Sequence, residues 1–333
     1  MADRFRSLGV VGAGAGGTAL AQTARRAGRD VALWAFEPET ADAINSEHEN
    51  TAFLPGIKLD SGVRATTRLA DMAACDMLLL VTPAQHTRRV TAELARLMPD
   101  ERPLLICAKG IEQATRKLLS DVVAETLPQA VPAVLSGPSF ADEVARGLPA
   151  ALTLACEDEA LGQDIARCIG HRTFRPYWSP DLIGAQIGGA IKNVLAIAAG
   201  IVVGRKLGAN AHAALVTRGF YEMAQVGEAL GARFETLSGL SGLGDLVLTC
   251  GSPRSRNMSL GVALGEGKTL DEVLGARRSV SEGVFTASAV MRIAGEHGLD
   301  LPICAAVDAV VSGTRGVDDA IEGLLARPIR AEM

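Results

Sequence analysis

The sequence predicts an α/β fold in two parts: a doubly wound parallel sheet over residues 1–178, then a mostly helical domain over residues 179–333. Three observations predict it. Short apolar, β-branched runs alternate with helical stretches through the first half, the pattern of a parallel sheet with crossover helices. A glycine-rich turn follows the first of those runs and opens the first helical stretch. Around Arg175–Pro180 the character changes: Arg-Pro-Tyr-Trp-Ser-Pro holds two prolines, and Ala/Leu/Gly-rich stretches with helical spacing take over. At 333 residues the chain exceeds one ordinary core, so two domains suit its length.

Taken in order, Leu8–Val11 reads as the first strand, Thr18–Ala27 as the helix after it and Asp30–Trp34 as the second strand. Further strands are expected at Val63–Thr66, Asp76–Val81, Leu104–Ala108, Ala133–Ser136 and Ala151–Ala155. Helices are expected near Ala84–Leu97, Arg116–Thr126, Ala141–Arg146 and Glu159–Ile169. The connection Glu47–Lys58 is long for a compact domain and is expected to cover something. Past the boundary, Ile183–Gly204, Ala211–Leu230 and Ser288–His297 carry the clearest helical spacing.

Composition removes several function classes. Hydrophobic residues at 48% with charged residues at 21% describe a globular chain and exclude disorder. Aromatics at 4% beside 36 glycines mean small aliphatic cores and much bare backbone, which lets a ligand approach closely. The net charge is −5 with no Lys/Arg block, which argues against nucleic acid as a partner. No Cys pair has C-x-x-C spacing and the histidines are scattered, so neither a disulfide scaffold nor a metal site is expected. Leu8–Ala21 mimics a signal peptide, but five glycines dilute it. Leu182–Val203 is long enough to span a bilayer, yet it carries Gln186, Lys192 and Asn193 near its middle, so it is read as a buried helix of a cytoplasmic protein.

Gly12-Ala13-Gly14-Ala15-Gly16-Gly17 satisfies G-x-G-x-x-G directly between a strand and a helix. In a Rossmann-type unit Gly12 serves the tight turn, Gly14 the approach of a pyrophosphate and Gly17 the packing of helix on strand. The helix N-terminus then offers free N–H groups and its dipole to the phosphates. Lys192 sits in Gly188-Gly189-Ala190-Ile191-Lys192-Asn193-Val194-Leu195, with Gly188, Gly189, Leu195 and Ala196 on its face. A desolvated ammonium loses pKa and exchanges protons near neutrality. The alternative is an amine snorkelling to the surface; Gly188 and Gly189, read as space left for a ligand, favour chemistry. Lys109 lies at the carboxyl end of a strand, where ligands bind parallel sheets, although by itself a solvated loop lysine is the favoured reading. Ser255-Arg256-Asn257 precedes a helix start at Met258-Ser259-Leu260 and either offers an anion a planar fork plus N–H donors or is a surface turn with an N-cap. Asp245, in Gly242-Leu243-Gly244-Asp245-Leu246, reads as an N-cap or a hydroxyl acceptor.

Together with Ala108-Lys109-Gly110, Ser136-Gly137-Pro138-Ser139-Phe140-Ala141 and Glu282-Gly283, these motifs resemble the bacterial NAD(P)-dependent glycerol-3-phosphate dehydrogenases over nearly the whole chain. The resemblance implies a Rossmann domain followed by an all-helical C-terminal domain of the 6-phosphogluconate dehydrogenase type. It implies interconversion of glycerol 3-phosphate and dihydroxyacetone phosphate by hydride transfer, supplying phospholipid synthesis. By position, Lys192 matches the family's proton acceptor. Lys109, Gly137, Ser139, Asp245, Ser255, Arg256 and Asn257 match its substrate contacts, while Ala15, Gly16, Phe36, Lys109, Ala141, Arg256, Val280 and Glu282 match its cofactor contacts. Two positions depart from the family's pattern. Ala15-Gly16 replaces bulkier residues, so contacts there come from backbone. Phe36 stands where a basic residue or His is common.

The rival readings are a β-hydroxy-acid dehydrogenase of the same architecture and a non-catalytic nicotinamide-binding redox sensor. Phe36-Glu37-Pro38-Glu39 offers carboxylates and no cation where the adenosine ribose lies, so NADH is expected to be used at least as well as NADPH. A homodimer is compatible with the sequence.

Overall fold

The computed structural model describes residues 4–275 and 281–328. Among the described residues eight strands build one sheet: β1 (Ser7–Val11), β2 (Asp30–Trp34), β3 (Val63–Thr66), β4 (Met77–Leu80), β5 (Arg102–Ile106), β6 (Ala130–Ser136), β7 (Ala150–Ala155) and β8 (Phe174–Ser179). Their spatial order is β3-β2-β1-β4-β5-β6-β7-β8. β1 pairs in parallel with both β2 and β4, placing Leu8 opposite Val31 and Met77. The order therefore reverses at β1/β4, and a crevice opens at the carboxyl ends of those two strands. All four residues of β4 are buried, the continuous apolar run expected of a strand covered on both faces.

The sheet differs from the sequence reading in two places. β6 and β7 pair antiparallel, with Val134 opposite Ala155. The segment Arg175–Pro180, expected to be a change of domain, belongs mostly to an eighth strand parallel to β7. Its prolines hid it. Pro176 donates no ladder hydrogen bond, but β8 is an edge strand, where a missing N–H on the open side costs nothing.

Among the described residues beyond Ser179, all regular structure is helical. The central helix Leu182–Gly204 is N-capped by Asp181, whose Oδ1 accepts from the Gly184 N–H at 2.8 Å. It is long and apolar enough to cross a membrane by length and composition. Instead it is the buried axis of a bundle formed with Ala209–Ala229, Asp245–Cys250, Arg256–Gly265, Glu282–His297 and Pro302–Val311. Gln186 ties this axis to the sheet domain: its Oε1 accepts from Ser120 N–H and its Nε2 donates to Ser120 Oγ, each at 3.0 Å.

Candidate active site

Two groups of residues carry the chemistry. The first is the glycine turn at the end of β1. Gly12 has φ +118° and donates its N–H to Trp34 O at 3.1 Å, and a Cβ there would lie 3.0 Å from Thr82 N just past β4. A Cβ on Gly17 would sit 1.8 Å from Gly12 O, so the first helix, Ala15–Arg26, touches the turn itself. Gly14 is different: a Cβ there would meet nothing within 4 Å. Its bareness serves no packing within the chain, which leaves the approach of a ligand as its physical use. Ala15 and Gly16 form the first helical turn, which has neither a side-chain cap nor an acidic residue, so its N–H groups and positive dipole end remain for an anion. These features fit a dinucleotide pyrophosphate.

The loop Glu47–Lys58 anchors this turn. Buried Asn50 donates from Nδ2 to Ala13 O and to Thr18 Oγ1, both at 2.8 Å, and accepts from Phe53 N–H at 3.0 Å. The sequence reading singled out the loop but not Asn50. Phe36, just past β2, is 65% exposed and meets Trp34 edge-on. Ala141 opens the short helix Ala141–Arg146. Glu282 opens Glu282–His297; its Oε1 accepts from Ala84 N–H at 3.0 Å, while buried Oε2 has no partner. Burial pushes the Glu282 carboxyl up, against the opposing charge of Arg256. Thr82 Oγ1 and Ser136 Oγ, at the carboxyl ends of β4 and β6, are also buried, and none of these three oxygens, Glu282 Oε2 included, has a hydrogen-bond partner among the described residues. Polar atoms orphaned at strand ends suit a polar ligand. Val280 lies outside the described residues.

The second group centres on Lys192, which is 8% exposed. Its Nζ donates to Asp245 Oδ1 at 2.6 Å and to Thr249 Oγ1 at 2.9 Å, which uses two of the three ammonium protons. Asp245, 1% exposed, accepts from Lys109 Nζ through Oδ2 at 2.7 Å, and Lys109 also donates to Gly137 O at 2.9 Å. One carboxylate thus lies between two lysines. Burial lowers the Lys192 ammonium to about 8; Asp245 works against that shift and Lys109 with it. A widened π-type turn, Leu240–Gly244, delivers Asp245 to the start of its helix, where Thr249 falls one turn later on the same face.

Gly137 has φ +150°, and its carbonyl accepts from Ser139 Oγ at 2.9 Å as well as from Lys109. Ser255 caps the helix Arg256–Gly265, its Oγ accepting from Met258 N–H at 3.2 Å. Arg256 is exposed at the first position of that helix. Asn257 donates to Asn193 Oδ1 at 2.9 Å and accepts from Gly283 N–H at 3.1 Å, binding three helices together. Asn193 in turn donates to Lys109 O at 3.2 Å. The structure therefore gathers Lys109, Gly137, Ser139, Lys192, Asp245, Ser255 and Asn257 into one connected region.

The reading of Gly188 and Gly189 as space for a ligand is corrected. A Cβ on Gly188 would lie 2.5 Å from Ser241 O, and one on Gly189 would lie 2.7 Å from Ser136 Oγ and 3.3 Å from Lys109 Cγ. They are bare because the Ser241–Gly242 backbone, Ser136 Oγ and the Lys109 stem press against the helix there. Thr249 and Asn50 carry no expectation from sequence, and Asn193 is noted there only as a polar residue of the apolar helix; the signal for Thr249 is its i+4 spacing from Asp245.

Comparison with known proteins gives one consistent family. The profiles described as NAD-dependent glycerol-3-phosphate dehydrogenase N-terminus and C-terminus match residues 7–162 and 181–322. The glycerol-3-phosphate dehydrogenase [NAD(P)+] of Parvibaculum lavamentivorans is 61% identical over 98% of either chain. That of Caulobacter vibrioides is 58% identical over 98% of this chain and 99% of its own. The crystal structure of glycerol-3-phosphate dehydrogenase from Coxiella burnetii superposes with a TM-score of 0.93 at 36% identity, covering 97% of this chain and 99% of that one. A ketopantoate reductase from Ralstonia eutropha, at 18% identity and a TM-score of 0.63 over 95% of this chain and 99% of its own, shares the fold alone.

Proposed function

This chain belongs to the NAD-dependent glycerol-3-phosphate dehydrogenases, and on that premise we propose that it interconverts sn-glycerol 3-phosphate and dihydroxyacetone phosphate with NAD(H) or NADP(H). The observation that carries this reading is the buried Lys192 amine, lowered to about 8 and held by Asp245 and Thr249 beside the crevice. Such a group exchanges a proton near neutral pH, which oxidation of a secondary alcohol requires and simple nucleotide binding does not.

The turn Gly12–Gly17 and the first turn of Ala15–Arg26 bind the pyrophosphate. The nicotinamide, when bound, supplies the acceptor or donor of hydride at the central carbon. In oxidation, neutral Lys192 takes the proton from the substrate hydroxyl; in reduction, the Lys192 ammonium returns it to the carbonyl oxygen. Asp245 keeps the amine aimed and offsets the charge of both lysines. Lys109 and Ser139, joined through Gly137 O, border the substrate. Arg256 and Asn257 hold the phosphate and so fix the position of the reacting carbon. Glu282 and the exposed Phe36 contact the cofactor. The reductive product is the phosphorylated three-carbon backbone of glycerophospholipids, which supports a role in lipid synthesis, with the cytoplasm as its proposed compartment.

The test is a substrate comparison. NADH or NADPH oxidation should require dihydroxyacetone phosphate, and pyruvate or another keto acid should not replace it. Equal rates with a keto acid would move the chain to the β-hydroxy-acid dehydrogenases, and no turnover with any carbonyl compound would leave a nucleotide sensor.

A further inference from the structure

The end of β2 carries an unusual balance of charge. Phe36-Glu37-Pro38-Glu39 supplies two carboxylates and no cation at the position where a doubly wound sheet receives the adenosine ribose. Carboxylates accept hydrogen bonds from free ribose hydroxyls and repel a phosphate placed there. On local sequence alone, NADP(H) would be rejected.

The fold brings a cation from elsewhere. Arg89, on the helix Thr87–Ala95 that follows β4, holds its guanidinium carbon 5.7 Å from the centre of the Phe36 ring. Fifty-three positions separate the two residues, and the β1/β4 reversal makes them neighbours. The platform is braced: Trp34 meets Phe36 edge-on with centroids 6.2 Å apart, and Trp34 Nε1 donates to Thr67 O at 3.1 Å.

The neighbouring arginines show what is particular about Arg89. Arg88 is bound by Glu112 and Glu125, each at 2.8 Å. Arg68, past the end of β3, faces Asp71 at 3.5 Å. Among the described residues no carboxylate lies within ion-pairing distance of Arg89, which is exposed and positioned only by the ring. An exposed phenylalanine that orients an uncommitted guanidinium has little value for stability, because both groups stay largely in water. It has clear value as a ready donor fork for a phosphate.

We propose that Arg89 admits the 2′-phosphate of NADP(H), so that this site accepts both nicotinamide cofactors. This rests on the dinucleotide site proposed above. NAD(H) presents a neutral hydroxyl there, to which Glu37 or Glu39 suffices as acceptor. NADP(H) presents a dianion, which the Arg89 fork holds against the repulsion of those carboxylates. One cation set against two acids gives dual use rather than strict preference.

The experiment measures binding and turnover side by side. Calorimetric titrations with 2′,5′-ADP and with 5′-AMP, on the unmodified protein and on Arg89→Ala, isolate the 2′-phosphate from the nicotinamide end. Arg89→Ala should weaken 2′,5′-ADP by about tenfold or more, the scale of a charge-assisted contact, and leave 5′-AMP within about threefold. The kcat/KM for NADPH should fall in parallel while that for NADH stays nearly constant. Arg89→Lys, which keeps the charge without the planar fork, should recover part of the 2′,5′-ADP affinity. Equal losses for both nucleotides would make Arg89 a stacking partner of adenine and overturn the proposal, as would no change in either. If the unmodified protein binds neither nucleotide, the dinucleotide site falls and this proposal with it.

Discussion

Replacing Asp245 by Asn removes the one carboxylate between Lys109 and Lys192 while keeping its shape. The Lys192–Asp245 contact is 2.6 Å and the Lys109–Asp245 contact 2.7 Å, with Asp245 1% exposed. At an effective dielectric of about 20, opposite unit charges about 4 Å apart attract by about 4 kcal/mol. The carboxylate therefore holds the Lys192 ammonium up, and the retained amide oxygen still accepts one hydrogen bond, so the expected change is a further fall below about 8 that is smaller than the full attraction. Lysine is the acid in the reductive direction, so the sign is fixed. The kcat/KM for dihydroxyacetone phosphate should decline as pH rises through about 8 in the unmodified enzyme, because the ammonium is lost. In Asp245→Asn that decline should move to lower pH, and the rate at neutral pH should drop with it. Initial rates of reduction across the neutral and alkaline range measure the shift. A declining limb at the same pH in both proteins would refute the claim that Asp245 sets the protonation of Lys192.

The glycine turn yields a paired prediction. Gly14→Val should leave the melting temperature nearly unchanged, since Gly14 has φ −67° and open space at Cβ, yet it should weaken NADH binding by about tenfold or more through collision with the pyrophosphate. Gly17→Ala should instead lower the melting temperature sharply, because its Cβ would stand 1.8 Å from Gly12 O. Asn50→Ala should cost about 1–3 kcal/mol in chemical denaturation by stranding Phe53 N–H and leaving Ala13 O only its longer bond from Thr18 Oγ1, and should raise the KM for cofactor. Arg256→Ala should cost about 2–3 kcal/mol in kcat/KM with dihydroxyacetone phosphate and almost nothing further with dihydroxyacetone, which lacks the phosphate.

The chain discloses its sheet and its first ligand loop because both rest on local rules. β1, β2 and β3 stand where period and composition place them, and Gly12, Gly14 and Gly17 keep distinct structural duties. What stayed hidden is what depends on distant segments. β8 was masked by Pro176, which only edge position makes harmless. The roles of Gly188 and Gly189 were misread because the segments pressing on them, Ser136, Lys109 and Ser241, come from other elements. Lys192 was legible as an ammonium in an apolar helix, but its two fixed partners come from a separate helix. Arg89 was invisible for the same reason: nothing at residues 36–39 announces a cation that arrives from the far side of β1.

The central claim is that Lys192 carries the proton of the reaction, and Lys192→Met tests it directly when kcat and cofactor affinity are measured on the same preparation. Met fills similar volume without a charge, so Asp245 keeps its ion pair with Lys109 and the fold has no buried charge left alone. The account predicts a fall in kcat of about a hundredfold or more, the usual scale for a general acid–base group, with NADH binding by fluorescence quenching unchanged. A kcat close to that of the unmodified enzyme would contradict it and leave Lys192 a structural partner of Asp245.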